Sequence, residues 1–278
     1  MIGEHDGGVS AVLPYLEVPL PFVMAHRGFD LTGLENSMPA FAAAVDLGVS
    51  HLETDVHATA DGVLVAFHDA HLDRTTDGRG VVAELPWREV SRARIGGVEP
   101  IPRFEEVLSS WPKIRLNVDL KSPGAVRPFV EAVRRAGALD RVCVASFSDR
   151  RRAAAVGALA RHGRVAWSPG SRGVARLLAA IPLRAGVVGA VLGGAACVQL
   201  PERVGPLRLL TRRLVDAVHA AGVQVHAWTI DDPASMRRLL DLRVDAIITN
   251  RADLALEVLT SRAGDADGET EQGATGPS

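Results

Sequence analysis

Residues 206–229 read PLRLLTRRLVDAVHAAGVQVHAWT, and the period of the apolar positions changes partway along. Leu210, Leu214, Val218 and Ala221 fall on one stripe, with Arg212, Arg213 and Asp216 away from it; this is the spacing of an amphipathic helix. Gly222 stops that helix, because glycine takes the left-handed backbone of a helix end without a Cβ clash. The run 224–228 that follows is short and rich in β-formers, so it reads as a strand. A helix feeding a strand across so short a turn is half of a βαβ crossover, which implies a parallel sheet.

The same alternation extends in both directions. Short apolar runs stand at 22–25, 51–56, 114–120, 142–145, 164–167, 196–200, 224–228 and 245–249, eight in all. Helical periodicity fills 37–47, 104–110, 127–136, 150–161, 173–180, 209–221 and 233–242, with one more helix after the last run at 253–260. Eight such units predict an α/β fold, a (β/α)8 TIM barrel. Such barrels take about 250 residues, which suits a chain of 278. An open doubly wound sheet more often has about five or six strands.

Residues 60–103 break the alternation. The Asp61-Gly62 turn between Val56 and Val63 reads as a hairpin, a small insertion after strand two with too few apolar residues for a core of its own. The predicted organisation is an N-terminal extension over 1–21, a barrel domain over 22–262 and a disordered tail over 263–278, where no large apolar residue occurs. The uncharged run 185–200 holds four glycines and reads as a loop entering a buried strand. It is too short to span a membrane.

Hydrophobic residues are 47% of the chain and charged residues 23%, enough for a large core under a solvated surface. The 31 basic and 33 acidic residues nearly cancel, so no basic face for nucleic acid is indicated. Cys143 and Cys197 lie in apolar runs, too few for a disulfide framework and too far apart for a metal motif. Buried thiols in a reducing compartment are expected. The first residues lack a basic stretch followed by an apolar one, so a cytoplasmic location is expected. Nothing in the sequence sets an oligomeric state.

In a parallel barrel the C-terminal strand ends form the active-site mouth, and here they carry polar groups. Glu53 and Asp55 stand two apart and so point to one face. Asp119 and Lys121 repeat that geometry on the next barrel strand. Carboxylates crowded at a partly dry mouth repel unless a cation lies among them, and oxygen ligands suit a hard ion, Mg²⁺ or Ca²⁺. Simple pairing with Arg or Lys at the rim explains Glu53 and Asp55 equally well. His26 and His68 each end an apolar run and could serve as acid and base on one bound group. Arg27 and Lys121 supply the charge to hold an anion, a phosphoryl group above all. Trp228 either walls that pocket or fills the core.

These stretches resemble the glycerophosphodiester phosphodiesterase family. The matching residues are His26-Arg27-Gly28, Glu35-Asn36-Ser37-Met38-Pro39-Ala40-Phe41, Glu53-Thr54-Asp55-Val56, Asp61-Gly62, Val65-Ala66-Phe67-His68-Asp69 and Leu72-Asp73-Arg74-Thr75-Thr76, then Asp119-Leu120-Lys121, Val225-His226-Ala227-Trp228-Thr229 and Asp245-Ala246-Ile247-Ile248-Thr249-Asn250. The resemblance implies cleavage of glycerophosphodiesters to glycerol 3-phosphate and an alcohol. It implies one divalent ion on Glu53, Asp55 and Asp119, His26 and His68 as general base and acid, and Arg27 and Lys121 on the phosphate. Glu35 and Asn36 read as loop-fixing. Two positions depart from the family's pattern: Asp119 stands where glutamate is usual, and Asn250 where aspartate is frequent.

Three other readings use parts of the same pattern. A lysophospholipid-specific phospholipase D-like enzyme would need the same histidines and ion. A catalytically inactive barrel would bind a phosphorylated ligand without turnover. A retaining glycosidase would use the carboxylate pair but has no need of Arg27 and Lys121 beside two histidines.

Overall fold

The structure is a computed structural model that describes residues 13–183 and 185–272. In chain order the strands and helices are β1 Phe22–His26, α1 Met38–Asp46, β2 His51–Ala58, β3 Leu64–Ala66, α2 Trp87–Val90, β4 Arg94–Ile95, β5 Glu99–Pro100, α3 Phe104–Ser110, β6 Arg115–Leu120, α4 Val126–Arg135, β7 Val142–Ala145 and α5 Asp149–Leu159. There follow β8 Ala166–Trp167, α6 Ser171–Ala180, α7 Ala185–Leu192, β9 Cys197–Pro201, β10 Arg203–Val204, β11 Leu207–Arg208, α8 Arg212–His219, β12 Gln224–Trp228, α9 Pro233–Asp241, β13 Ala246–Thr249 and α10 Ala252–Gln272.

Eight strands run parallel in the order β8-β7-β6-β2-β1-β13-β12-β9. Between the two end strands, Ala196 N donates to Trp167 O at 2.9 Å, so the sheet closes on itself as a (β/α)8 barrel. Each expected strand lies at its expected place. The helix read from residues 209–221 is α8, capped by Thr211, whose hydroxyl accepts from Leu214 N at 3.3 Å; Gly222 beyond it sits at φ 72°. Alternate residues of a strand face opposite sides. Leu52 and Val56 of β2 therefore join the main core under the helices, while Glu53 and Asp55 between them face the barrel mouth. Phe41, Phe104 and Phe129 are fully buried in that outer layer, each worth about 1.5–3 kcal/mol of burial.

The barrel's opposite end is plugged. A 3-10 turn, Pro14–Leu16, buries Tyr15 against Cys143, Ala166, Ala196 and Cys197. His51 stacks on Phe22 at 4.2 Å and meets Tyr15 edge-on at 5.0 Å. Its Nε2–H donates to Tyr15 O at 3.2 Å, and Arg115 donates to Pro14 O and Glu17 O. Part of the stretch read as an N-terminal extension is thus barrel floor.

Other expectations shift with packing. The run 185–200 holds a helix, α7, before β9, where a loop was expected; in place of a polar stripe its apolar length covers the barrel wall, with Val188 and Leu192 in the core. The insertion pairs β3 antiparallel with β2 and does have a small core, contrary to expectation: Val65, Phe67, Leu72, Val82, Val90, Ala93, Ile95 and Ile101 cluster together. Scattered singly over a loop-rich stretch, these residues show no period to read. Helix α10 continues through Gln272, into the stretch read from composition as disordered, and 273–278 lie outside the described residues. Among the described residues no helix is long and apolar enough to cross a membrane.

Candidate active site

The ladder itself assembles the site. His26 is in register with Glu53 across β1 and β2, and Asp55 with Asp119 across β2 and β6, so each pair starts from strands only about 4.8 Å apart. Beyond β1 the chain turns sharply, with Arg27 at φ 60° and Gly28 at φ 87°. A Cβ on Gly28 would stand 2.6 Å from the carbonyl carbon of Ala40, so only glycine lets the turn press against the start of α1. The turn folds Arg27 back over the mouth. Its guanidinium donates to Glu35 Oε1 at 2.9 Å, and its Nε lies 3.1 Å from Asp55 Oδ2, an ion-pair distance. Asn36 bridges below, accepting from Thr54 Oγ1 at 2.7 Å and donating to Asp55 Oδ2 at 3.2 Å. Glu35 and Asn36 therefore fix the loop and its Arg27.

Lys121 sits between two carboxylates, 2.9 Å from Asp55 Oδ1 and 2.6 Å from Asp119 Oδ2. Burial alone would lower its pKa, but Asp55 and Asp119 outweigh that and raise it. Burial would likewise raise Asp55, yet Lys121 and Arg27 hold it below the usual carboxylate range. For Glu53 the same two cations are outweighed. Burial first, and the Asp55 charge second, push its carboxyl well above the ordinary value. Its Oε2 accepts only weakly, from Arg27 N at 3.2 Å.

The two histidines differ in their partners. His26 Nδ1 lies 2.7 Å from Asn250 Oδ1, and its Nε2 is 3.8 Å from Glu53 Oε2. Burial, then Arg27, lower the pKa of this ring. His68 Nδ1–H donates to Asp69 Oδ1 at 2.5 Å. Arg74 donates to the same carboxylate and to Glu35, its bonds to Asp69 holding that acid far below the usual range. An ion chain Arg27–Glu35–Arg74–Asp69 thereby ties the β1 loop to the His68 loop. His57, on β2, donates from Nε2 to His68 O at 3.1 Å and steadies that loop from below.

His26, Arg27, Glu53, Asp55, His68, Asp119, Lys121 and Trp228 all line one cavity of about 390 Å³. Sequence reading missed others that shape it. Phe147, 55% exposed, meets Trp228 edge-on at 5.8 Å and lies 5.5 Å from Lys121 Nζ; a lone aromatic after a strand carries no signal of that placement. Asn117, which the sequence reading did not single out, pairs with Gln199 through their amides at 2.8 Å beneath the site. Asp69 and Arg74 stood in the sequence without a function, because their roles exist only through His68 and Glu35.

A divalent ion is a fair test of the carboxylates. Among the described residues no three His, Cys, Asp or Glu side chains converge as they stand into a metal cluster, and Lys121 Nζ sits between Asp55 and Asp119. Two observations nevertheless fit a cation. Asp119 Oδ1 is buried without a hydrogen-bond partner, and among the described residues Glu53 makes no ion pair with a Lys or Arg to match its burial. Both oxygens suit a hard ion.

The model of the glycerophosphoryl diester phosphodiesterase family matches residues 26–254. A Mycobacterium tuberculosis protein named probable glycerophosphodiester phosphodiesterase 2 is 43% identical over 265 residues, covering 95% of this chain and 99% of that one. The crystal structure of a glycerophosphodiester phosphodiesterase from Agrobacterium tumefaciens superposes with a TM-score of 0.68 at 25% identity, over 85% of this chain and 99% of that one. An Oleispira antarctica phosphodiesterase in complex with the product sn-glycerol-3-phosphate superposes with a TM-score of 0.70 at 23% identity, over 87% of this chain and 97% of that one.

Proposed function

The chain belongs to the glycerophosphoryl diester phosphodiesterase family, and we propose from that premise that it cleaves glycerophosphodiesters to glycerol 3-phosphate and an alcohol. The observation that carries this reading is the placing of two histidines at one cavity with three carboxylates, Arg27 and Lys121. Arg27 and Lys121 bind the phosphate oxygens and meet the charge that grows on them during reaction.

One histidine takes the proton of the attacking hydroxyl as its oxygen bonds to phosphorus. The other gives a proton to the leaving oxygen as its bond to phosphorus breaks. The attacking hydroxyl is either water or the substrate's own glycerol hydroxyl; the second route gives a cyclic phosphate that water then opens. Glu53, Asp55 and Asp119 are the residues that would hold a divalent ion, Mg²⁺ or Ca²⁺. When bound, such an ion neutralises charge on the phosphoryl oxygens. The side chain of Asp119 is one methylene shorter than the glutamate usual in the family, so this site would favour whichever ion that reach accommodates.

A second substrate is favoured by the cavity's apolar lining. Phe147, Val174, Val204, Leu209 and Trp228 all line it, which suits a hydrocarbon-bearing diester such as a lysophospholipid.

The test is release of glycerol 3-phosphate from glycerophosphodiesters with Mg²⁺, Mn²⁺ or Ca²⁺, with lysophosphatidylcholine run in parallel. Folded His26→Ala and His68→Ala proteins should each lose about 10²–10⁴-fold in turnover. Near wild-type rates in both would defeat the reading, as would ligand binding without any turnover.

A further inference from the structure

Asp231 and Asn250 follow neighbouring barrel strands, β12 and β13, and Ile230 N donates to Ile248 O at 3.0 Å to hold the two strand ends together. Asp231 Oδ1 accepts from Thr249 Oγ1 at 2.9 Å and from Asn250 N at 2.8 Å. Asp231 Oδ2 accepts from Asn250 Nδ2 at 2.8 Å. A carboxylate only accepts, so the amide of Asn250 must turn its NH₂ toward Asp231. Its oxygen is then left facing His26 Nδ1 at 2.7 Å, and an amide oxygen also only accepts. His26 Nδ1 must therefore carry a hydrogen.

We propose that Asp231 and Asn250 are positioning residues that lock His26 as its Nδ1–H tautomer, so that Nε2, on the Glu53 side of the cavity, is the base in the phosphodiester reaction. The role of base rests on the phosphodiesterase reading; the tautomer does not. The two histidines become unequal through their partners. His26 leans on a neutral amide whose countercharge stands one residue further back, whereas His68 Nδ1–H donates directly to the Asp69 carboxylate. His68 is then the acid.

The chemistry of the pair makes one substitution unusually informative. In Asp231→Asn, the new amide keeps an oxygen toward Thr249 Oγ1 and Asn250 N and presents NH₂ to the Asn250 side chain. Asn250 answers with its oxygen and turns its own NH₂ to His26. His26 must then accept at Nδ1 and carry its hydrogen on Nε2, the wrong nitrogen for a base. The double variant D231N/N250D restores the original polarity, because the carboxylate then at position 250 accepts both from the amide at position 231 and from His26 Nδ1–H.

The experiment is a long-range ¹H–¹⁵N correlation on the full chain with ¹⁵N-histidine, the His26 signals being assigned by their loss in His26→Gln. Wild type should show a pyrrole-type Nδ1 and a pyridine-type Nε2 for the neutral ring. D231N should show the reverse, with kcat lowered by about 10²–10⁴-fold and KM little changed, the cost of a base in the wrong tautomer. The double variant should recover the wild-type spectrum and at least about tenfold of the lost kcat. An Nε2–H ring in wild type overturns the proposal, whatever the variants do. So does D231N with unchanged tautomer and turnover. If the spectra behave as expected but no phosphodiester is cleaved, the positioning stands and the assigned activity falls.

Discussion

Glu53→Gln should make the metal-free protein more stable while disabling its response to a divalent ion. Glu53 is buried beside Asp55, and the Lys121 ammonium pairs with Asp55 and Asp119 instead. Its carboxyl is raised well above the ordinary 4.5, so the folded chain holds a proton that the unfolded chain has already released. Stability therefore falls as pH rises from 4.5 toward the folded pKa, by about 1.4 kcal/mol per unit. At pH 7 this loss amounts to a few kcal/mol at most, reached if the folded carboxyl stays protonated.

Glutamine has nothing to ionise and can still accept from Arg27 N. In EDTA near neutral pH the variant should gain about 1–3 kcal/mol, with a rise in Tm of about 2–4 °C per kcal/mol. Below about pH 4 the two proteins should unfold alike. With Mg²⁺ at about a hundred times its Kd, wild type should gain about 2.7 kcal/mol and the variant far less. Thermal melts at pH 4 and 7.5, with EDTA and with Mg²⁺, read all four states. A variant less stable than wild type in EDTA at pH 7.5, or one with an equal Mg²⁺ shift, refutes the reasoning.

Three further outcomes test other parts of the structure. His51, stacked in the barrel floor, has its pKa lowered to about 3 by burial, so the unfolded chain takes up a proton between pH 6.5 and 3 that the folded chain refuses; stability should fall with acid across that window at about 1.4 kcal/mol per unit. His51→Gln should flatten this slope in urea titrations at pH 7 and 4, and an unchanged slope would discount the effect. Tyr15 is buried with a hydroxyl that finds no partner among the described residues. Tyr15→Phe should therefore be neutral or stabilising, while Tyr15→Ala should cost roughly 3–5 kcal/mol by urea unfolding. Phe147→Ala removes apolar wall from the cavity, and KM for a lysophospholipid should rise about tenfold or more, with a smaller change for glycerophosphocholine; equal changes for both would remove the apolar-arm reading.

Much of the site was legible because strand arithmetic is local. Glu53 and Asp55 share a face by their spacing alone, and in a parallel barrel every strand end reaches the same rim. The partners of those residues were not legible. Asn250 could be placed at the rim, but its bond to His26 spans 224 positions, and the orientation of its amide is decided by Asp231, which carried no signal of its own. The insertion's small core and Tyr15 under the barrel were invisible for a related reason. Each is held by contacts between short segments with no period, so nothing in the neighbouring residues announces them.

The sequence by itself determined the alternation of eight strands with helices, the rim on which the polar groups stand, and the stretch from His26 to Lys121 that carries most of the charge. Hydrophobic period and strand spacing are properties of neighbouring residues, and they can be read without the fold. Only the tertiary structure decided which charges meet. It put Lys121 between Asp55 and Asp119, left Glu53 without a Lys or Arg ion pair and one oxygen of Asp119 without a hydrogen-bond partner, and gave His26 an amide and His68 a carboxylate. Ionisation and tautomer depend on burial and on groups a few ångströms away in space, and a barrel brings such groups together from strands far apart in the chain.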